Sequence, residues 1–188
     1  MGEYYIAISL TAQEHLSPHD YNSGAKLSEH AYILNDCVRT VCFLLMKGKR
    51  WYKHRLAWVG DSAKGIIFKE CEYCFEKKID DTCPHFIRKI VGECHLRGLE
   101  EAYAQTLNVY QEPPSFEELP TKYFILNHTK REYIDCGRIY DLFDDNMIPH
   151  PLPHRTKTPW GTWLRDILSV SLKRPKEFKE DKYNIHEY

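Results

Sequence analysis

The sequence predicts an α+β protein: two related hairpin-plus-strand units building a mostly antiparallel sheet, one long helix packed on it, and a Cys-rich helical insertion between the units. Three observations predict this. An offset of 118 carries YIAISLTAQEHL, which starts at Tyr5, onto YFILNHTKREYI, which starts at Tyr123, so that Thr11 meets Thr129, Glu14 meets Glu132 and Leu16 meets Ile134. An offset of 112 carries the Trp-led stretch from Trp51 to Trp58 onto Trp163 to Val170. The two offsets are nearly equal, which is the mark of an internal duplication with units of similar length. Third, 188 residues with 43% apolar and 28% charged side chains are enough for one well-filled core or two small ones.

Taken in order, Tyr4 to Leu10 is an apolar run rich in β-formers, Thr11 to Gln13 a polar turn, and Glu14 to Ser17 the return strand, which Pro18 ends by removing a ladder donor. From Leu27 to Met46 apolar residues recur at threes and fours, predicting a helix that Ser28 or a neighbour caps and Gly48 ends. Lys47 to Arg50 is a basic turn, and His54 to Val59 alternates as a strand that closes the first unit. Between the units come GIIFK as a short strand, a cysteine cluster, helical signals from Phe86 to Tyr110 and the Pro113-Pro114 linker. The second hairpin and Trp-led strand follow, and the tail beyond Lys173 lacks apolar period and is expected to be loose. The organisation read from this is a first unit over 1–61, an insertion over 62–121, a second unit over 122–173 and a tail over 174–188, all in one compact domain.

A formal net charge of −1 gives no global field toward nucleic acid or anionic membrane, although a local basic patch remains compatible with it. The N-terminal stretch has an acid where a signal peptide has bases, and no apolar run approaches the ~20 residues of a spanning helix. The expectation is a soluble intracellular protein without membrane insertion, in the host cytoplasm or the virion if viral. Seven cysteines, an odd number without a secretory signal, favour reduced thiols or metal ligands over a disulfide framework.

KYFILNHTKREYID, IPHPLP and GTWLRDILSV, together with YYIAISL, LSPHDYNSGAKLSEH and WVGD, resemble an uncharacterised protein family of phages, bacteria and large DNA viruses. The resemblance covers both ends of the chain and stops at the Cys-rich middle. It implies a fold and a viral or mobile-element origin, and no reaction.

The chemistry is most concentrated in that middle. Cys71 and Cys74 have the C-x2-C spacing that wraps a metal ion in a tight turn, and Cys83 and His85 would complete a tetrahedral set around one structural zinc ion, with Cys94 and His95 as substitutes. Buried core thiols are the competing reading. In the first unit His15, His19, Asp20, Glu29 and His30 bring imidazoles and carboxylates together, and His19, Asp20 and His30 are the candidates for acid and base work, though their spacing matches no recognised catalytic pattern. His150 and His154 fall on a Pro-rich stretch expected at the surface. Lys49, Arg50, Trp51 and Arg55 in the first unit, with Trp160, Trp163 and Arg165 in the second, combine cations for phosphates with aromatic faces for bases. The bland alternative is that each Trp is core and the flanking cations keep a sheet edge soluble.

These readings converge on a non-enzymatic accessory or interaction protein of viral or mobile-element type that binds a host or viral macromolecule, protein or nucleic acid. A small nucleotide-processing or nucleotide-sequestering protein is the alternative, with His19, Asp20 and His30 beside the basic aromatic groove. A minor virion component is a third.

Overall fold

The computed structural model describes residues 4–60, 97–142, 149–156 and 162–183. Among the described residues eight strands form one mixed sheet: β1 (Tyr5–Ser9), β2 (Glu14–Leu16), β3 (His54–Gly60), β4 (Leu107–Asn108), β5 (Phe124–Asn127), β6 (Glu132–Asp135), β7 (Ile167–Ser171) and β8 (Lys179–Glu180). Their order across the sheet is β4-β2-β1-β3-β7-β5-β6-β8. The order reads as one four-strand unit followed by its own image. In each half a hairpin pairs antiparallel with the Trp-led strand, and a short edge strand adds parallel outside the hairpin.

The register repeats as faithfully as the order. Ala7 faces Leu16 in the first hairpin, and Ile125 faces Ile134 in the second, the same pair displaced by 118. Ala7 also faces Trp58, and Ile125 faces Val170, in agreement with the separate offset of 112. Even the strained backbone positions recur: Gln13 and Arg131 have φ of 55° and 58°, and Lys53 and Arg165 have φ of 58° and 65°. Left-handed φ is costly for residues with a Cβ. Its recurrence at four matching non-glycine positions means that the turns themselves were duplicated, beyond the hydrophobic pattern. The two halves join where β3 and β7 pair antiparallel through His54 with Leu168 and Arg55 with Ile167. Arg55 and Ile167 are images of each other, so a pseudo-twofold axis passes between them.

Both halves bury the same sheet face. Tyr5, Ala7, Leu56, Trp58, Ile125, Ile134, Leu168 and Val170 meet the helices on that side in one apolar core. Those helices are α1 (Leu27–His30), α2 (Asp36–Leu44), α4 (Cys136–Asp141) and α5 (Pro151–Thr156), while α3 (Arg97–Gln105) lies on the opposite face. There Leu99 and Ala102 cover Ile6, Ile8, Ala57 and Val59. Covered on both faces, β1 is buried throughout, which explains why it reads as a continuous apolar run.

The long helix expected from Leu27 to Met46 is divided into α1 and α2. Asn35 divides it: its side-chain oxygen accepts the Val38 N–H at 3.1 Å as an N-cap, and its amide donates to the Glu29 carbonyl at 3.1 Å. The interrupted segment is tied to the second half by the His150 N–H donating to the Ala31 carbonyl and by a bridge between Tyr32 and Pro149. The tail differs from expectation too. It supplies β8, because Glu177, Glu180 and Asp181 find arginines on the body of the second half. The predicted GIIFK strand and the cysteine cluster lie outside the described residues. Among the described residues no helix is long and apolar enough to cross a membrane.

Candidate binding seam between the two halves

The duplication brings the predicted basic segments to a common line. In each half a buried Trp, Trp51 or Trp163, opens a tight turn closed by main-chain bonds from His54 N to Trp51 O at 3.0 Å and from Asp166 N to Trp163 O at 3.1 Å. The turn forces Lys53 and Arg165 into their left-handed conformation and sets them at matching places on either side of the axis. The following strands start under threonine hydroxyls of the hairpin turns: Thr11 Oγ1 accepts Arg55 N and Thr129 Oγ1 accepts Ile167 N, both at 2.9 Å. The seam is closed by Arg55 Nη1 donating to the Arg165 carbonyl at 2.7 Å and by Arg165 N donating to the Leu56 carbonyl at 3.0 Å.

Polar pairs beneath these cations also follow the duplication. Ser9 Oγ meets His54 Nδ1 at 2.9 Å, and at the matching positions Asn127 Nδ2 donates to Asp166 Oδ2 at 2.7 Å. Ser9 and Asn127 cap their hairpin turns in the same way, accepting Ala12 N at 3.1 Å and Lys130 N at 3.0 Å. Lys130 Nζ lies 3.4 Å from Asp166. His128, whose Nε2 meets Ser169 Oγ at 2.7 Å, is held below the ordinary imidazole range by burial and by Lys53. Burial alone brings Arg165 down to about 10, the signature of a guanidinium partly withdrawn from water. A partly desolvated cation interacts more strongly with an incoming anion than a solvated one does.

Arg55 and Arg165 are therefore brought together, joined by Lys53 and Lys130. Lys49 and Arg50 are engaged elsewhere: Lys49 Nζ sits 4.0 Å from the centre of the Phe43 ring, and Arg50 grips Glu14 through two nitrogens at 2.5 and 2.8 Å. Trp51 and Trp163 are 0% and 1% exposed, so neither offers a face for stacking. They fill the core because each sits where its turn folds back onto the sheet. Trp160 lies outside the described residues. Sequence reasoning missed Lys130 and Asp166, though the offset of 118 that relates Ser9 to Asn127 marks the turn from which Lys130 projects.

No protein-family model, curated protein or solved structure matches the chain. Inference about function therefore rests on this geometry.

The other candidate groups are spread through the fold. His19 and Asp20 are exposed on the 3₁₀ turn Pro18–Tyr21, where Asp20 accepts from Asn108 Nδ2 at 2.9 Å. His30 is 0% exposed, accepts the Trp58 indole N–H at 3.0 Å, and is pushed by burial to about 4. It is a core acceptor and shares no bond with the pair on the turn. His150 is also buried, contrary to its expected surface position, because Pro151 starts α5 directly after it. Leu152 N donates to its Nδ1 at 3.2 Å, which leaves the proton on Nε2, facing the Tyr123 hydroxyl at 2.5 Å and Cys42 Sγ at 3.4 Å. Burial drives His150 to about 3 and Cys42 to about 12. A cysteine nucleophile needs the reverse order, a low thiol beside a protonatable imidazole, together with access for substrate. This trio is a satisfied polar knot in the core.

Among the described residues no group of three or more His, Cys, Asp and Glu is arranged to hold a metal ion. Cys71, Cys74, Cys83, His85, Cys94 and His95 lie outside the described residues.

Proposed function

We propose that the chain is a non-enzymatic accessory protein that binds an acidic macromolecule of host or virus along the seam. The observation that carries this reading is the convergence of Lys53 and Arg165 on matching left-handed turns about one pseudo-twofold axis, with Arg55 on the axis and Lys130 beside it. Four cations drawn from both halves meet there, and Lys130 Nζ lies 3.4 Å from Asp166, whose carboxylate also accepts from Asn127. With Trp51 and Trp163 in the core and neither offering a face for stacking, this reading places recognition in charge and the shape of the partner's backbone. Binding should then be strongly salt-dependent and indifferent to sequence.

The test uses a fluorescein-labelled heparin fragment as a polyanion probe, titrated at low and at physiological salt. The substitutions Lys53→Glu and Lys130→Gln, both at exposed positions and the second placing no charge beside Asp166, should together weaken binding by at least about tenfold in a variant that still unfolds cooperatively. Equal binding by wild type and the folded double variant, or no binding by wild type, would reject the seam.

The zinc reading belongs with this proposal as a separate part. One ion held by Cys71, Cys74, Cys83 and His85 would pin the insertion, and its binding would contribute folding energy.

A further inference from the structure

The two outer edges of the sheet are images of each other, yet they are held by different forces. Leu107 N donates to the Gln13 carbonyl and Val109 N to the His15 carbonyl; on the opposite edge Lys179 N donates to the Arg131 carbonyl and Asp181 N to the Tyr133 carbonyl, at 2.8 to 3.0 Å throughout. Behind β4 the anchor has no ion pair among the described residues: His15 Nδ1 meets Thr106 Oγ1 at 2.8 Å in the interior, Tyr103 packs edge-on against the same imidazole, and Asn108 Nδ2 donates to Asp20 at 2.9 Å. Behind β8 charge predominates, beside the Phe178 ring set edge-on to His128 and Tyr183 packed against the core. Arg131, Arg138 and Arg155 on the body each meet one acid of the tail, Glu177 at 3.5 Å, Glu180 at 3.0 Å and Asp181 at 3.2 Å.

We propose that the outer edge of β6 is a docking site for an acidic extended strand, filled in this chain by its own segment from Glu177 to Asp181. The main-chain groups of Arg131 and Tyr133 accept a parallel strand whatever its side chains are, and the three arginines select for acids at matching spacing. The resident strand is built to be replaceable. Its paired part is two residues long, and of its ion pairs the one between Arg131 and Glu177, 66% and 82% exposed, is in the range that is individually weak and screened by salt, while Arg155 and Asp181, 19% and 24% exposed, hold the end of the strand more firmly. A partner bearing acids at the same positions would compete for the same arginines and the same two carbonyls. This site lies at the far edge of the second half and stands independently of the seam.

The probe is a fluorescein-labelled peptide of sequence RPKEFKEDKY, the chain's own residues from Arg174 to Tyr183. It is titrated at low salt into wild type and into a chain carrying Glu177→Lys, Glu180→Lys and Asp181→Lys, whose own strand no longer fits the arginines. The expected result is binding at least about tenfold tighter to the charge-reversed chain than to wild type, lost at about 1 M salt and lost when Arg131→Glu and Arg138→Glu are added. Protection of the Leu107 and Val109 amides reports that the variants remain folded. Failure of the folded charge-reversed chain to bind the peptide, or binding that survives loss of the arginines, overturns the proposal. A second measurement on wild type needs no variant: Lys179 and Asp181 amides should exchange faster than Leu107 and Val109 and accelerate with salt. Equal, salt-independent exchange at both edges overturns it as well.

Discussion

Glu14 accepts the indole N–H of Trp51 at 2.8 Å, and the same carboxylate is clasped by Arg50. The hydrogen bond from Arg50, opposed by burial and aided by Trp51, holds Glu14 below the usual carboxylate range. A charged acceptor in the sheet is thus shared between a solvent-facing guanidinium and a ring with no exposure. A double-mutant cycle of Glu14→Ala and Trp51→Phe in urea should give a coupling of about 1.5–3 kcal/mol, the range for a hydrogen bond to a charged group. Additive losses would mean that Trp51 contributes by packing alone.

Acid should loosen the fold well before the carboxylates titrate. Burial holds His30 at about 4 and His150 at about 3, below the ordinary 6.5 of an imidazole. As pH falls the unfolded chain takes up these protons first, so their contribution to stability is complete above about 6.5 and declines toward 4 and 3. Glu14, also depressed, adds to the loss at lower pH. The midpoint of thermal unfolding should fall steadily between pH 7 and pH 4.5. In that window His30→Gln, which can still accept from Trp58 but cannot protonate, should reduce the slope of stability against pH by about 1.4 kcal/mol per unit. An unchanged slope would show that His30 is not neutral in the native state.

The described cysteines should behave as core atoms. Cys37, Cys42 and Cys136 are free and buried, and burial raises all three thiols. Brief alkylation of native protein, resolved by peptide mass spectrometry, should leave these three unmodified until denaturant is added. The same experiment separates them from the proposed zinc ligands. Peptides carrying Cys71, Cys74 and Cys83 should become reactive on chelation, with one zinc per chain lost by elemental analysis. Reactivity of those three without chelator, and no zinc, would reject the metal site; no zinc with all three protected until denaturant is added would return them to the competing reading of buried core thiols.

The repeat was legible because register and turn chemistry leave marks at fixed offsets: Thr11 and Thr129 both receive a strand-opening amide, and Ser9 and Asn127 do the same work with different side chains. The break at Asn35 was not, since Tyr32, Ile33 and Leu34 continue the helical period while the cap acts through one side-chain oxygen. The tail was misleading for a related reason. Much of its hold is charge pairing with arginines distant in sequence, and its two packed rings, Phe178 and Tyr183, are too far apart to make a hydrophobic period. At the seam the cations were visible as a composition, but the fate of Trp51 and Trp163 depended on which way a tight turn faced. His150 was hidden by its prolines, which suggest a surface loop and in fact open a short buried helix.

Arg39 offers the sharpest test of how the linker is fixed. Its side chain is 3% exposed, and Nη2 donates to the carbonyls of Pro114 and Leu119 at 3.1 Å and of Ser115 at 3.4 Å, while the Phe116 ring lies 4.1 Å over the guanidinium. Those carbonyls belong to a turn that Ser115 and Glu118 close by exchanging side-chain bonds with each other's amides. Arg39→Met keeps the length of the stem and removes every donor, so carbonyls buried against the helix lose their partner. The expected cost is about 2–4 kcal/mol in urea unfolding, because the penalty of unpaired buried acceptors exceeds the net worth of the bonds. The consequence should be local first. Limited proteolysis of native protein should nick the variant between Ser115 and Leu119 at a dilution that leaves wild type intact, whereas a loss of stability with no new cleavage there would show that the turn holds its shape without the arginine.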